Sequence, residues 1–278
     1  MKNILGLTSE SSTVAKSIAA ALFIFSIASP TAYADAIRDS SLFTANTLPA
    51  NDDDSSDLVD LGFTINFYGT NFSQAYVNNN GNITFDSSQT QYTPYDLSTT
   101  NRQILAPFFA DVDTRAAGSQ LVQYGQAVIG GRNTFGVNWI DVGYFNQQDD
   151  KLNRFQLIIT DRSDVLAGDF DFEFNYDQIL WETGSASGGV NGFGGDSARV
   201  GWSNGAANTF ELSGSAVDGA FLNGGISSLI ANSLNSGVAG RYVFQVRNGE
   251  VVTVPVPAGL PLFLSGLAIL GWRGKKQG

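Results

Sequence analysis

Asp111 and Asp113 are the residues whose type and spacing point most directly to chemistry. On an extended strand, residues i and i+2 project from one face, so both carboxylates can reach a single hard cation, with backbone carbonyls completing an oxygen shell. Calcium is the ion that suits such donors. The same pair can instead accept turn N–H groups and pair with Arg115, a purely structural role. A third use, acid and base on a glycosidic bond, needs two carboxylates about 5–10 Å apart across a cleft, one with a raised pKa. Nothing in the sequence isolates either acid in an apolar pocket, so no catalytic residue is assigned. The 278 residues include no Cys and no His. That excludes thiolate or imidazole metal sites, a cysteine nucleophile and a Ser-His-Asp triad.

Other candidates have plainer readings. Asp169, Asp171 and Glu173 alternate with Phe170, Phe172 and Phe174, which predicts a half-buried strand with an acidic, solvated outer face. Trp139, Trp181 and Trp202 can stack on sugar rings in a glycan groove, but tryptophans in strand-like runs are more often core. Asn51–Asp57 reads as an acidic solvated loop. Gly184–Gly195 is a glycine-rich loop with no following lysine or helix to make a phosphate cradle.

The elements that must position these groups are mostly strands. Phe63–Phe67 and Asn82–Phe85 alternate, Arg154–Thr160 is an apolar run of strand length, and Ala198–Trp202 and Arg241–Val246 continue the pattern. Asn80-Gly81, Asn204-Gly205 and Asn248-Gly249 are turn signals. Only Ile226–Leu234 has helical spacing, through Ile226, Leu229, Ile230 and Leu234. The chain is therefore expected to be all-β, an antiparallel sandwich or barrel-like core. One β-sandwich-like domain over Leu61–Arg247 places Phe63, Ile83, Phe85, Phe155, Leu157, Phe172 and Phe174 inward.

The two ends read as export signals. In residues 1–34, Lys2 and Lys16 precede the apolar run Ser17–Ala28, and Ala32 and Ala34 supply the small residues that signal peptidase requires; cleavage leaves Asp35 first. In residues 254–278, an apolar stretch ends at Arg273, Lys275 and Lys276, as expected of a short membrane helix with a basic cytoplasmic end. Between them, residues 35–253 form the β domain. Setting aside Lys2, Lys16, Arg273, Lys275, Lys276 and Glu10 leaves 10 basic and 25 acidic residues, with Lys151 the only lysine. Such a surface repels nucleic acid and anionic lipid.

Two resemblances sharpen this reading. Pro255 and Pro257, the apolar helix and the basic tail resemble the PEP-CTERM sorting signal in its VPLPA-type form. That resemblance implies recognition by an exosortase-type sorting enzyme, transient membrane anchoring, and association with extracellular polysaccharide. Phe67-Tyr68-Gly69, Tyr76–Phe85, Ile104–Arg115, Trp139–Tyr144, Arg154–Leu157, Phe174–Trp181 and Ala198–Trp202, in that order over roughly Leu61–Ser215, resemble the nidogen-like extracellular domain. This resemblance implies a secreted or cell-surface, non-catalytic module of cell–matrix adhesion, with matrix proteins or extracellular polysaccharide as partners. A glycan-binding module held in exopolysaccharide is the alternative, and a histidine-free acidic hydrolase a more distant one.

Overall fold

The computed structural model describes residues 35–252. A short 3-10 turn, Ser40–Phe43, is capped by Asp39, whose carboxylate accepts the Ser41 N–H. Strands β1 (Asn46–Thr47), β2 (Val59–Phe67), β3 (Thr70–Asn78), β4 (Asn82–Thr84), β5 (Gln103–Phe109), β6 (Val112–Asp113) and β7 (Gln123–Ile129) follow. The chain continues through β8 (Arg132–Tyr144), β9 (Gln148–Asp161), β10 (Phe170–Gln178), β11 (Arg199–Asn204), β12 (Thr209–Glu211), β13 (Arg241–Arg247) and β14 (Glu250–Val252). One sheet runs β1-β7-β8-β9-β10-β13-β14, with β6 also on β8; the other runs β12-β11-β5-β4-β3-β2. The pairings are antiparallel.

The period-2 pattern explains the packing. Phe170, Phe172, Phe174 and Tyr176 of β10 are all buried, while Asp171 and Glu173 between them are half-buried. Rings of this sheet meet those of the facing one: Phe67 of β2 lies 6.2 Å from Phe170 of β10, and Phe108 of β5 lies 5.2 Å from Phe155 of β9. The result is an aromatic layer between two sheets, the architecture of a sandwich. Strand β5 is covered on its other side as well, where Ile104, Ala106 and Phe109 pack with Leu97 and Tyr95.

Two expectations need correction. Phe63 faces inward with Leu61, Ile65 and Phe67 and packs against the core, but it is only half-buried, beside a register irregularity between Asp60 and Ile65. Ile226–Leu234 forms no helix but a chain of turns. Leu229 is fully buried from this loop and Ile226 stands 89% exposed, so the apolar spacing marks separate anchors rather than a helix face. The expected signal peptide over residues 1–34 and the short membrane helix within 254–278 lie outside the described residues; among the described ones no helix is long and apolar enough to cross a membrane.

Gly81 sits where only glycine fits. Its φ is +69°, and a Cβ there would lie 1.8 Å from the Phe108 carbonyl oxygen. Gly81→Ala is expected to cost about 2–4 kcal/mol, combining left-handed strain with a backbone clash. Phe172→Ala, which empties the middle of the aromatic layer, should cost about 3–5 kcal/mol. Urea denaturation monitored by tryptophan fluorescence measures both; wild-type midpoints would contradict the packing described.

Candidate metal centre

Asp111 follows β5 at a bend, and Asp113 closes β6. Both are buried, yet they face different partners. Asp113 Oδ1 accepts the Arg115 backbone N–H at 3.0 Å and its Nε at 2.8 Å; Oδ2 accepts Arg115 Nη2 at 2.5 Å and the Gln147 N–H at 2.8 Å. Burial pushes this carboxyl up, but the bonds from Arg115 and Gln147 outweigh it and hold it below the usual carboxylate range. Both of its oxygens are engaged. The pair read as sharing one cation is thus divided, and Asp113 takes the structural role of anchoring Arg115.

Asp111 is grouped instead with Asp52 and Asp53, and one carboxylate oxygen from each of the three lies within 4.8 Å of the others. Asp111 is 1% exposed, and its Oδ2 has no hydrogen-bond donor; the buried Oδ1 of Asp52 has none either. Gly184 closes one side, where a Cβ would lie 2.2 Å from Asp111 Oδ2. Burial, reinforced by the charges of Asp52, Asp53 and Asp113, pushes the Asp111 carboxyl up to about 8 against the opposing pull of Arg115. Burial likewise raises Asp52 to about 6, with Asp113 and Asp53 adding to the shift, and raises Asp53 despite a bond from Asn80. Like charges this close repel by about 3–4 kcal/mol per pair at an effective dielectric constant near 20. The donors are all oxygen, a set that fits calcium or another hard cation and not zinc.

The acidic loop is held over Asp111 by an asparagine turn. Asn79 Nδ2 donates to the Asp52 carbonyl at 2.6 Å and to the Val112 carbonyl at 2.7 Å. Asn80 Nδ2 donates to Asp53 Oδ1 at 2.8 Å, while Asn80 Oδ1 accepts the Val112 N–H at 2.9 Å. Asn51 and Thr114 exchange backbone and side-chain bonds at 2.9–3.0 Å, and Arg115 Nη2 reaches Asp52 Oδ2 at 3.0 Å. Asp52 and Asp53 are therefore functional candidates that sequence reasoning placed in a solvated loop. The run Asn78-Asn79-Asn80, whose amides need partners once buried, is the one hint in the sequence that a neighbouring loop is drawn in, and it does not say which loop.

The remaining candidates resolve plainly. Asp169, Asp171 and Glu173 are not a bare solvated stripe. Asp169 is 2% exposed and accepts the Asn248 N–H at 2.8 Å. Asp171 pairs with Arg162 and Arg247 at 2.7 Å, and Glu173 with Arg38 at 2.8 Å. Trp139, Trp181 and Trp202 are core residues. Trp139 donates Nε1 to the Asn79 carbonyl and stacks on Phe155; Trp181 donates to the Val142 carbonyl. None of the three offers a free face to a sugar. Asp35 is exposed, and its carbonyl accepts Arg241 Nη2 at 2.9 Å. Ala32, Ala34, Pro255, Pro257, Arg273, Lys275 and Lys276 lie outside the described residues.

Glu182 is the other deeply buried carboxyl with a raised pKa. Its oxygens accept the Gly219 and Phe221 N–H groups at 2.6 Å, yet burial outweighs those bonds and lifts it to about 7. A raised acid keeps its proton longer in the folded state than in the unfolded one. Its stabilising contribution is therefore complete below pH 4.5 and lost as pH rises towards about 7. Melting temperature is expected to fall across that window, with a shallower fall in Glu182→Gln; equal slopes in the two proteins would contradict the assignment.

Comparison with known proteins places the chain in a family. The family model for the nidogen-like domain matches residues 73–248. Mouse alpha-tectorin is 31% identical over 228 residues, covering 73% of this chain and 10% of that protein, and human alpha-tectorin matches equally. Drosophila melanogaster nidogen is 29% identical over 240 residues, covering 75% of this chain and 16% of that protein. The chain thus spans only a small part of the relatives it matches. No solved structure matches. With the family model covering well over half its length, the chain belongs to the nidogen-like domain family.

Proposed function

We propose that this is an exported, non-catalytic cell-surface or extracellular-matrix protein that acts in cell–matrix adhesion. The observation that carries the reading is the nidogen-like match over residues 73–248, a domain type found in extracellular matrix proteins. The surface chemistry supports it. Every Arg and Lys among the described residues lies within 3.8 Å of a carboxylate oxygen, which leaves a strongly acidic exterior with its cations already engaged. Such a surface favours contacts through uncharged groups or bridging cations over direct contact with an anionic polymer.

The ends complete the proposal. Residues 1–34 direct export and are removed after Ala34, and residues 254–278 anchor the protein in the membrane until an exosortase-type enzyme processes the tail. Its setting is then a bacterial surface and biofilm matrix, with exopolysaccharide or matrix proteins as partners. Residues 35–253 are the adhesive unit, and the acidic interior of the domain takes no part in hydrolysis.

Truncation after Thr253 should release into the medium a protein that the full chain retains at the surface, and N-terminal sequencing of the exported form should begin at Asp35. The purified protein should also co-sediment with the producer's exopolysaccharide. Identical distribution of full-length and truncated proteins would defeat the sorting reading, and absence of co-sedimentation the polysaccharide one.

A further inference from the structure

We propose that Asp52, Asp53 and Asp111 form a calcium-binding site, with the 51–54 loop supplying two of its carboxylates and the β5–β6 junction the third. Three observations converge. The three carboxylates present oxygens within 4.8 Å of one another, on segments far apart in sequence that the asparagine turn holds together. Asp111, a member of this cluster, is almost fully buried and its Oδ2 has no hydrogen-bond donor; Asp52 Oδ1 is a second buried oxygen in that state. Folding does not normally leave a buried carboxylate oxygen unpaired, because the loss of hydration goes uncompensated. The third observation is charge. Among the described residues Arg115 is the one cation that meets this group; it is bound bidentately by Asp113 and also reaches Asp52 Oδ2 at 3.0 Å. Three carboxylates therefore share a fraction of one positive charge, and a divalent cation supplies what is missing.

The chemistry selects the ion. Oxygen donors alone disfavour zinc and copper, and donors from a loop and a bend suit the irregular, six- to eight-oxygen shell of calcium better than the strict octahedron of magnesium. Asp53 keeps its Asn80 bond through Oδ1, so its other oxygen can turn to the ion without releasing the loop. The site does not depend on the adhesion reading.

Calorimetric titration of the purified full chain with calcium chloride, at mildly alkaline pH where the carboxylates are ionised, tests it. Calcium is expected to bind one to one and to raise the melting temperature, because a ligand held only by the folded state stabilises it. Magnesium at the same concentration should give a smaller shift. Asp111→Asn should raise the melting temperature in chelator, by removing an unpaired buried charge, and abolish the calcium response. Asp53→Asn, at the less buried end, should keep the fold and weaken calcium binding by about tenfold or more. Asp113→Asn should destabilise the protein with and without calcium through loss of the Arg115 anchor. No heat and no shift in melting temperature with wild-type protein would overturn the proposal, as would a calcium response of wild-type size in both Asp111→Asn and Asp53→Asn.

Discussion

The turn Asn79–Asn82 is the constraint on which the rest of the molecule depends. It is the point where β3 hands over to β4, and its backbone and amides serve both sheets. The Gly81 carbonyl accepts the Phe108 N–H at 3.1 Å, and the Asn79 carbonyl accepts Trp139 Nε1 at 2.9 Å from the opposite sheet. Asn78, Asn79, Asn80 and Asn82 are all buried, so each amide must find a partner inside the protein. They find them in one another, in the acidic loop and at the β5–β6 junction. A turn that must be buried thus fixes the approach of β5 to the facing sheet and the position of the acidic loop that meets Asp111.

The same economy governs charge. An acidic chain without histidine and with a single lysine outside its ends has few cations to distribute, and it spends them in pairs. Arg247 bridges Asp171 and reaches Asp169, Arg162 joins Asp164 to Asp171, and Arg199 holds Glu211. Pairs at exposed positions contribute little individually, but together they leave the outer faces of the sheets neutralised in patches. The cluster around Asp111 is the exception, because there the acids outnumber the one arginine that reaches them.

The alternation of Phe170 to Tyr176 made β10 and its inward face readable, because a one-residue slip would put four aromatic rings in water. The same alternation holds in β2, where Phe63 is in phase with Leu61, Ile65 and Phe67 and packs against the core, but it stays half-buried where the pairing with β3 is irregular between Asp60 and Ile65, next to Gly62 at φ +88°. The turns of 226–234 mimicked a helix because core anchors in a loop follow no period. At the site, Asp111 was legible from its motif. Asp52 and Asp53 were not, because their roles come from a tertiary fold-back through Asn79 and Asn80, and a run of acids looks the same in sequence whether solvated or folded over a partner. The division of Asp113 from Asp111 was equally hidden, since it depends on Arg115 turning back onto its near neighbour.

The central claim is that the asparagine turn builds a cation site from Asp52, Asp53 and Asp111 while Asp113 remains committed to Arg115. A crystal structure of the protein soaked with a lanthanide as a calcium surrogate tests this most directly, through anomalous scattering. One strong peak bounded by those three carboxylates is expected, with the Asp113–Arg115 pair intact. No peak in the cluster, or an ion held by Asp113 with Arg115 displaced, would contradict it.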